Sequence, residues 1–130
     1  MKKIIIILLI LGMQISCTEK DDDSNQDHSE LRIRLSNISA FDFENIKVNT
    51  STGDRSFESL SAGEFSKYQV FSLAYRYAKV KLDIEGVTNL LQPFDYHGED
   101  PLENGDYTYQ IDAINGEGLH KELVLTLIND

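Results

Sequence analysis

The sequence predicts an all-β body, a single antiparallel β-sandwich of seven or eight strands, and three observations predict it. From Leu31 onward apolar residues recur at every second position. Clusters of Gly, Pro, Asn, Asp and Ser separate these runs at near-regular intervals. Beyond position 30 no stretch keeps a 3.6-residue apolar period for three turns, so nothing there reads as an amphipathic helix.

Taken in order, Leu31, Ile33 and Leu35 alternate with Arg32, Arg34 and Ser36, the pattern of a strand with one wet face. Phe43 to Val48 carries Ile46 and Val48 in the same phase, and the polar run Asn49 to Asp54 closes it as a turn. Phe57 and Leu60 mark a short third segment. Ser61-Ala62-Gly63-Glu64 then turns the chain into a fourth strand at Tyr68-Gln69-Val70.

The longest alternation is Ala74 to Glu85, with Ala74, Ala78, Val80, Leu82 and Ile84 on one side and Arg76 the only interruption. Glu85-Gly86 predicts a two-residue hairpin turn that folds Val87 to Phe94 back antiparallel. Pro93 lacks a ladder donor and ends that strand or places it on an edge. Asp95 to Asp106 is a loop by composition. Tyr107, Tyr109, Ile111 and Ala113 form the next strand, Asn115-Gly116-Glu117-Gly118 a turn, and Leu123, Leu125 and Leu127 the last strand.

The beginning of the chain has a different character. Lys2 and Lys3 precede an unbroken apolar run, Ile4 to Leu11, and Ser16 stands before the only cysteine, Cys17. The run is too short to cross a bilayer, which takes about 20 apolar residues, and matches the core of a secretory signal. Thr18 to Glu30 has six carboxylates, one lysine and no large apolar side chain, so it cannot offset the entropy of ordering and is expected to be a disordered tether. The expected organisation is therefore signal peptide 1–16, Cys17 and tether 17–30, and one sandwich domain 31–130.

The formal net charge is −10, and loss of Lys2 and Lys3 with the signal takes the mature chain to −12. That sign, with no clustered Lys or Arg, excludes nucleic acid as a partner and electrostatic attachment to anionic lipid. With one cysteine, no disulfide can form within the chain.

Catalytic constellations are missing from the sequence. No serine sits in a G-x-S-x-G elbow, His97 and His120 stand alone, and no reaction or cofactor is implied. An acid pair for glycoside hydrolysis needs a cleft that a sandwich of this size seldom offers, so a small hydrolase is the weakest of the readings. Two binding constellations are candidates. Tyr75, Tyr77, Tyr96, Tyr107 and Tyr109, with Phe94, would make an aromatic platform for a protein or a sugar if their strands are neighbours; the plainer reading is that they are core. Asp95, Glu99, Asp100, Glu103 and Asp106 gather oxygen ligands of the kind Ca²⁺ takes, without the D-x-D-x-D-G order of a dedicated loop, and the plainer reading is a solvated acidic loop.

Gln14-Ile15-Ser16-Cys17 resembles a bacterial lipoprotein signal, with Gln14 where the usual pattern has Leu. Cys17-Thr18-Glu19-Lys20-Asp21-Asp22-Asp23 resembles the acidic surface-export signal of Bacteroidetes-type lipoproteins. The resemblance implies lipidation of Cys17, as with palmitate, and an outer-membrane location facing the cell surface or, alternatively, the periplasm. The phrases Leu60-Ser61-Ala62-Gly63-Glu64 and Leu102-Glu103-Asn104-Gly105-Asp106-Tyr107, with Ala74-Tyr75-Arg76-Tyr77-Ala78, are similar to those of short lipoproteins of that type with sandwich domains of no assigned activity. Such a domain is immunoglobulin-like or transthyretin-like in outline, without the cysteine pair and tryptophan of true immunoglobulin domains. The function this implies is non-catalytic: binding of an envelope protein or an extracellular glycan. The alternative is a structural subunit of an envelope complex with no ligand of its own.

Overall fold

A computed structural model describes residues 29–93, 96 and 98–130. The signal, Cys17 and the tether up to position 28 lie outside the described residues, as do Phe94, Asp95 and His97. Among the described residues there is no helix, so none is long and apolar enough to cross a membrane.

The strands are β1 (Leu31–Asn37), β2 (Glu44–Asn49), β3 (Asp54–Phe57), β4 (Gln69–Phe71), β5 (Lys79–Ile84), β6 (Val87–Leu91), β7 (Gly105–Asn115) and β8 (Lys121–Asn129). They form two four-stranded sheets, β4-β1-β7-β8 and β3-β2-β5-β6. The architecture is all-β and two-layered, as the alternation requires, because each sheet has one apolar face to bury. Ile33, Leu35, Tyr109 and Ile111 from the first sheet meet Ile46, Val48, Val80 and Leu82 from the second, all essentially sealed from water. Each such aliphatic side chain contributes on the order of 2 kcal/mol of transfer free energy.

Two expectations need correction. The sandwich is not wholly antiparallel: β1 and β7 run parallel over seven pairs, Leu31 with Gly105 through Asn37 with Ile111. Residue alternation reports which face is wet and carries no information about strand direction. The alternating run from Ala74 is also strand only from Lys79. Ala74 and Ala78 are buried, but the segment between them is a loop crossing from one sheet to the other. Its carbonyls are satisfied outside any ladder: Leu102 N donates to Ala74 O at 2.8 Å, and the Tyr109 hydroxyl donates to Tyr75 O at 2.6 Å.

The hairpin between β5 and β6 forms as the sequence predicts. Glu85 and Gly86 both have positive φ, 52° and 79°, the combination a type I′ turn requires. In β2 the register slips between Glu44 and Lys47, and Asn45 at the slip has φ 50°. Asn tolerates that conformation, and its Nδ2 donates to Asp83 Oδ2 at 2.9 Å across the bulge.

Past Leu35 the first strand stops alternating: Ser36 and Asn37 are both buried. There the segment 63–66 replaces β4 beside it, with Ser66 N donating to Leu35 O and Asn37 N to Glu64 O. The Asn37 amide donates to Phe41 O and Leu60 O and accepts from the backbone and hydroxyl of Ser39, so a polar side chain with no exposure knots two turns together.

Candidate functional site

One end of the sandwich collects the candidate residues. By strand direction, β2, β4 and β6 end there and β1, β3, β5 and β7 begin there. The loops 72–78 and 92–104 cross between the sheets at this end. The chain also enters the domain there: Gly105 N donates to Glu30 O, and Asn104 Nδ2 to Ser29 O.

The structure divides the five tyrosines into two groups. Tyr75, Tyr77 and Tyr96 are half-buried and stack: Tyr75 on Tyr96 with centroids 4.7 Å apart and planes 22° from parallel, Tyr77 on Tyr96 at 6.0 Å and 21°. The Tyr96 hydroxyl donates to Asn49 O at 3.1 Å, which pins the shared ring to the end of β2. Burial is the main cause that raises its phenol above the ordinary tyrosine value.

Tyr107 and Tyr109 are core residues, so the platform does not include them. Their hydroxyls instead hold the loops that carry it. Tyr109 donates to Tyr75 O, and Tyr107 donates to Glu103 O at 2.9 Å. Two side chains in one strand thus hold the two crossing loops, each through a buried-to-backbone bond of about 1 kcal/mol. Burial drives the Tyr109 phenol well above its usual value.

Arg76 lies at the rim, with its guanidinium 5.7 Å from the centre of the Tyr77 ring and its Nε 3.7 Å from Glu99 Oε2. The Tyr77 hydroxyl donates to Glu99 Oε1 at 2.6 Å. Arg76 was legible only as the break in the apolar side of its run. That interruption was the signal that the residue faces water.

The carboxylates proposed for Ca²⁺ do not converge. Glu99 serves Tyr77 and Arg76, while Asp106 opens β7 and forms a two-point pair with Arg32 at 2.8 and 2.6 Å on the outer face. Asp100 and Glu103 are exposed, and Asp95 is outside the described residues. Among the described residues no three His, Cys, Asp or Glu come together as metal ligands.

Beside Tyr77 the two sheets part along the edges β6 and β8. The opening has a volume of about 560 Å³ and is lined by Ala78, Leu91, Pro93, Leu123 and Leu125, with Gln92 and Glu122 as its polar groups. On the opposite side of the sandwich a smaller opening, about 330 Å³, lies between β3 and the segment leading into β4, and polar side chains bridge the two edges. There Arg55 Nη1 donates to Val70 O at 2.8 Å, and Gln69 Nε2 to Ser56 O at 2.8 Å.

No protein-family model matches the chain, and no curated protein matches it with significance. Among solved structures it is similar to the NMR structure of a protein from Eubacterium rectale, with a TM-score of 0.53 and 19% identity, covering 77% of this chain and 92% of that one. That likeness shows a shared all-β fold and nothing further.

Proposed function

We propose that the chain is a lipid-anchored envelope or surface protein, attached through Cys17, that catalyses nothing itself and binds a protein partner through the tyrosine step at Tyr75, Tyr77 and Tyr96. The observation that supports it most directly is the joining of three half-buried, near-parallel rings to an exposed cation, Arg76, at the end where the tether enters. Aromatic residues and arginine are enriched in protein interfaces. The rings stack on a shared Tyr96 with a charge, Arg76, at their rim. On this reading the site lies at the end of the domain nearest the anchor, where another envelope protein is the nearer partner. On this reading the sandwich is immunoglobulin-like or transthyretin-like in outline. Its even division into four and four strands departs from the four and three of immunoglobulin constant domains.

A photo-crosslinking side chain tests the site in the cells that make the protein. At Arg76 it is expected to give a discrete adduct with one envelope protein. At Lys47, exposed on the outer face of β2, it is expected to give none. The same adducts from both positions, or none from Arg76, would overturn the assignment.

A further inference from the structure

Four strands lie at sheet edges, and three of them are short or laced: β3 has four residues, β4 three and β6 five. The fourth, β8, has nine, pairs with β7 without a register slip, and contains neither proline nor any charge beyond Lys121 and Glu122 at its start. A long edge strand with so few charges is what soluble proteins avoid unless something covers it.

The hydrogen-bond phase shows what that edge offers. Asp130 N donates to Asp106 O and Gly116 N to His120 O, so even-numbered residues of β8 point their backbone groups at β7. The odd ones point theirs outward. Lys121 N is met there by Asn89 Oδ1 at 2.6 Å, whereas the backbone groups of Leu123, Leu125 and Leu127 point away from β7, the first two residues lining the 560 Å³ opening. On the outer face Val124 and Ile128 are 41% and 36% exposed.

We propose that a second copy of this chain covers the edge, the two β8 strands pairing antiparallel about Leu125 to join two four-stranded sheets into one of eight. The order Lys121 to Asn129 of β8 is self-complementary in that register: Leu123 lies opposite the second copy's Leu127, Glu122 opposite its Ile128, and Lys121 opposite its Asn129. His120 and Asp130, just outside the strand, face each other with opposite character. Outward groups meet outward groups from Leu123 to Leu127, inside the Lys121 N–H that Asn89 already holds, and no like charges coincide. Moving the register by one step one way sets Glu122 against Asp130; moving it the other way shortens the overlap. A two-fold axis through Leu125 makes the contact isologous and closed, so pairing stops at two. The strand is also the near-neutral stripe of a chain of net charge −10, where two copies repel each other least. This contact is separate from the tyrosine step and stands or falls without it.

Sedimentation of the full chain in detergent, carrying Cys17→Ser, tests the pairing. Two copies are expected for that chain. Val124→Glu with Thr126→Glu puts like charges opposite each other and should weaken association by at least about 100-fold. Val124→Lys with Thr126→Glu puts opposite charges in the same places and should restore it. A single copy at every concentration, or a double-glutamate chain that associates unchanged, would overturn the proposal. If the double-glutamate chain does not fold, disulfide trapping decides. Mixed Val124→Cys and Thr126→Cys chains should crosslink with each other and neither with itself, and the reverse result would contradict the register.

Discussion

At the scale of single residues, buried polar side chains organise the molecule more than the sequence suggests. Asn37 reads as the polar end of a strand, yet it fills four hydrogen bonds in the interior. Asn37→Ala removes four bonds: Phe41 O keeps the Ser39 hydroxyl and Leu60 O keeps the Phe43 N–H, but the Ser39 N–H loses its acceptor, and a buried orphan costs about 1–3 kcal/mol beyond the bonds lost. A stability loss of about 3 kcal/mol is expected, read as a lower urea midpoint with an unchanged slope. A loss below about 1 kcal/mol would show that water replaces the amide. Tyr109 makes a second case. Its folded-state value lies above the unfolded one near 10, so the stability this difference confers is complete below pH 10 and is lost as pH rises through the folded value. The urea midpoint should therefore fall above pH 10, and Tyr109→Phe should flatten that fall while costing about 1 kcal/mol at neutral pH through the Tyr75 carbonyl. An unchanged alkaline slope in the variant would assign the effect to other groups.

At the scale of elements, turn chemistry sets the registers. The β5–β6 turn places Glu85 at φ 52°, a conformation that Asn adopts more readily than Glu. Glu85→Asn is expected to stabilise the domain by about 0.5 kcal/mol, which raises the thermal midpoint by about 3 °C for a domain of this size; a decrease would mean the turn is not type I′. Local rules of this kind are why the existence of most strands was legible: β1, β2, β5, β7 and β8 follow period-two runs and the hairpin follows Glu85-Gly86. Sheet membership and direction were not. The parallel pairing of β1 with β7 depends on contacts 74 residues apart, as the Arg32 to Asp106 pair shows, and no local pattern encodes them. The site was half legible for the same reason. Tyr75 and Tyr77 differ from Tyr107 and Tyr109 in where the chain crosses the sheets, and the apolar alternation across 74–85 conceals that crossing.

At the scale of the whole molecule, the chain enters an acidic body with two unlike sides at the end where its tyrosines gather. On one side Arg55 and Gln69 bridge β3 and β4 beside an opening of about 330 Å³, and on the other β6 and β8 flank one of about 560 Å³. The end where the chain enters and the β6–β8 side carry the two proposed contacts, while on the outer face of the first sheet Arg34 lies over Phe65 and Tyr68, and the Tyr68 hydroxyl donates to Asp130. The reading of this molecule as an anchored binding domain rests most heavily on Cys17. The direct measurement is partition between membrane and soluble fractions in the cells that make the protein. The account predicts that the chain follows the membranes and that Cys17→Ser releases it, whereas a protein that stays soluble with Cys17 intact would contradict it.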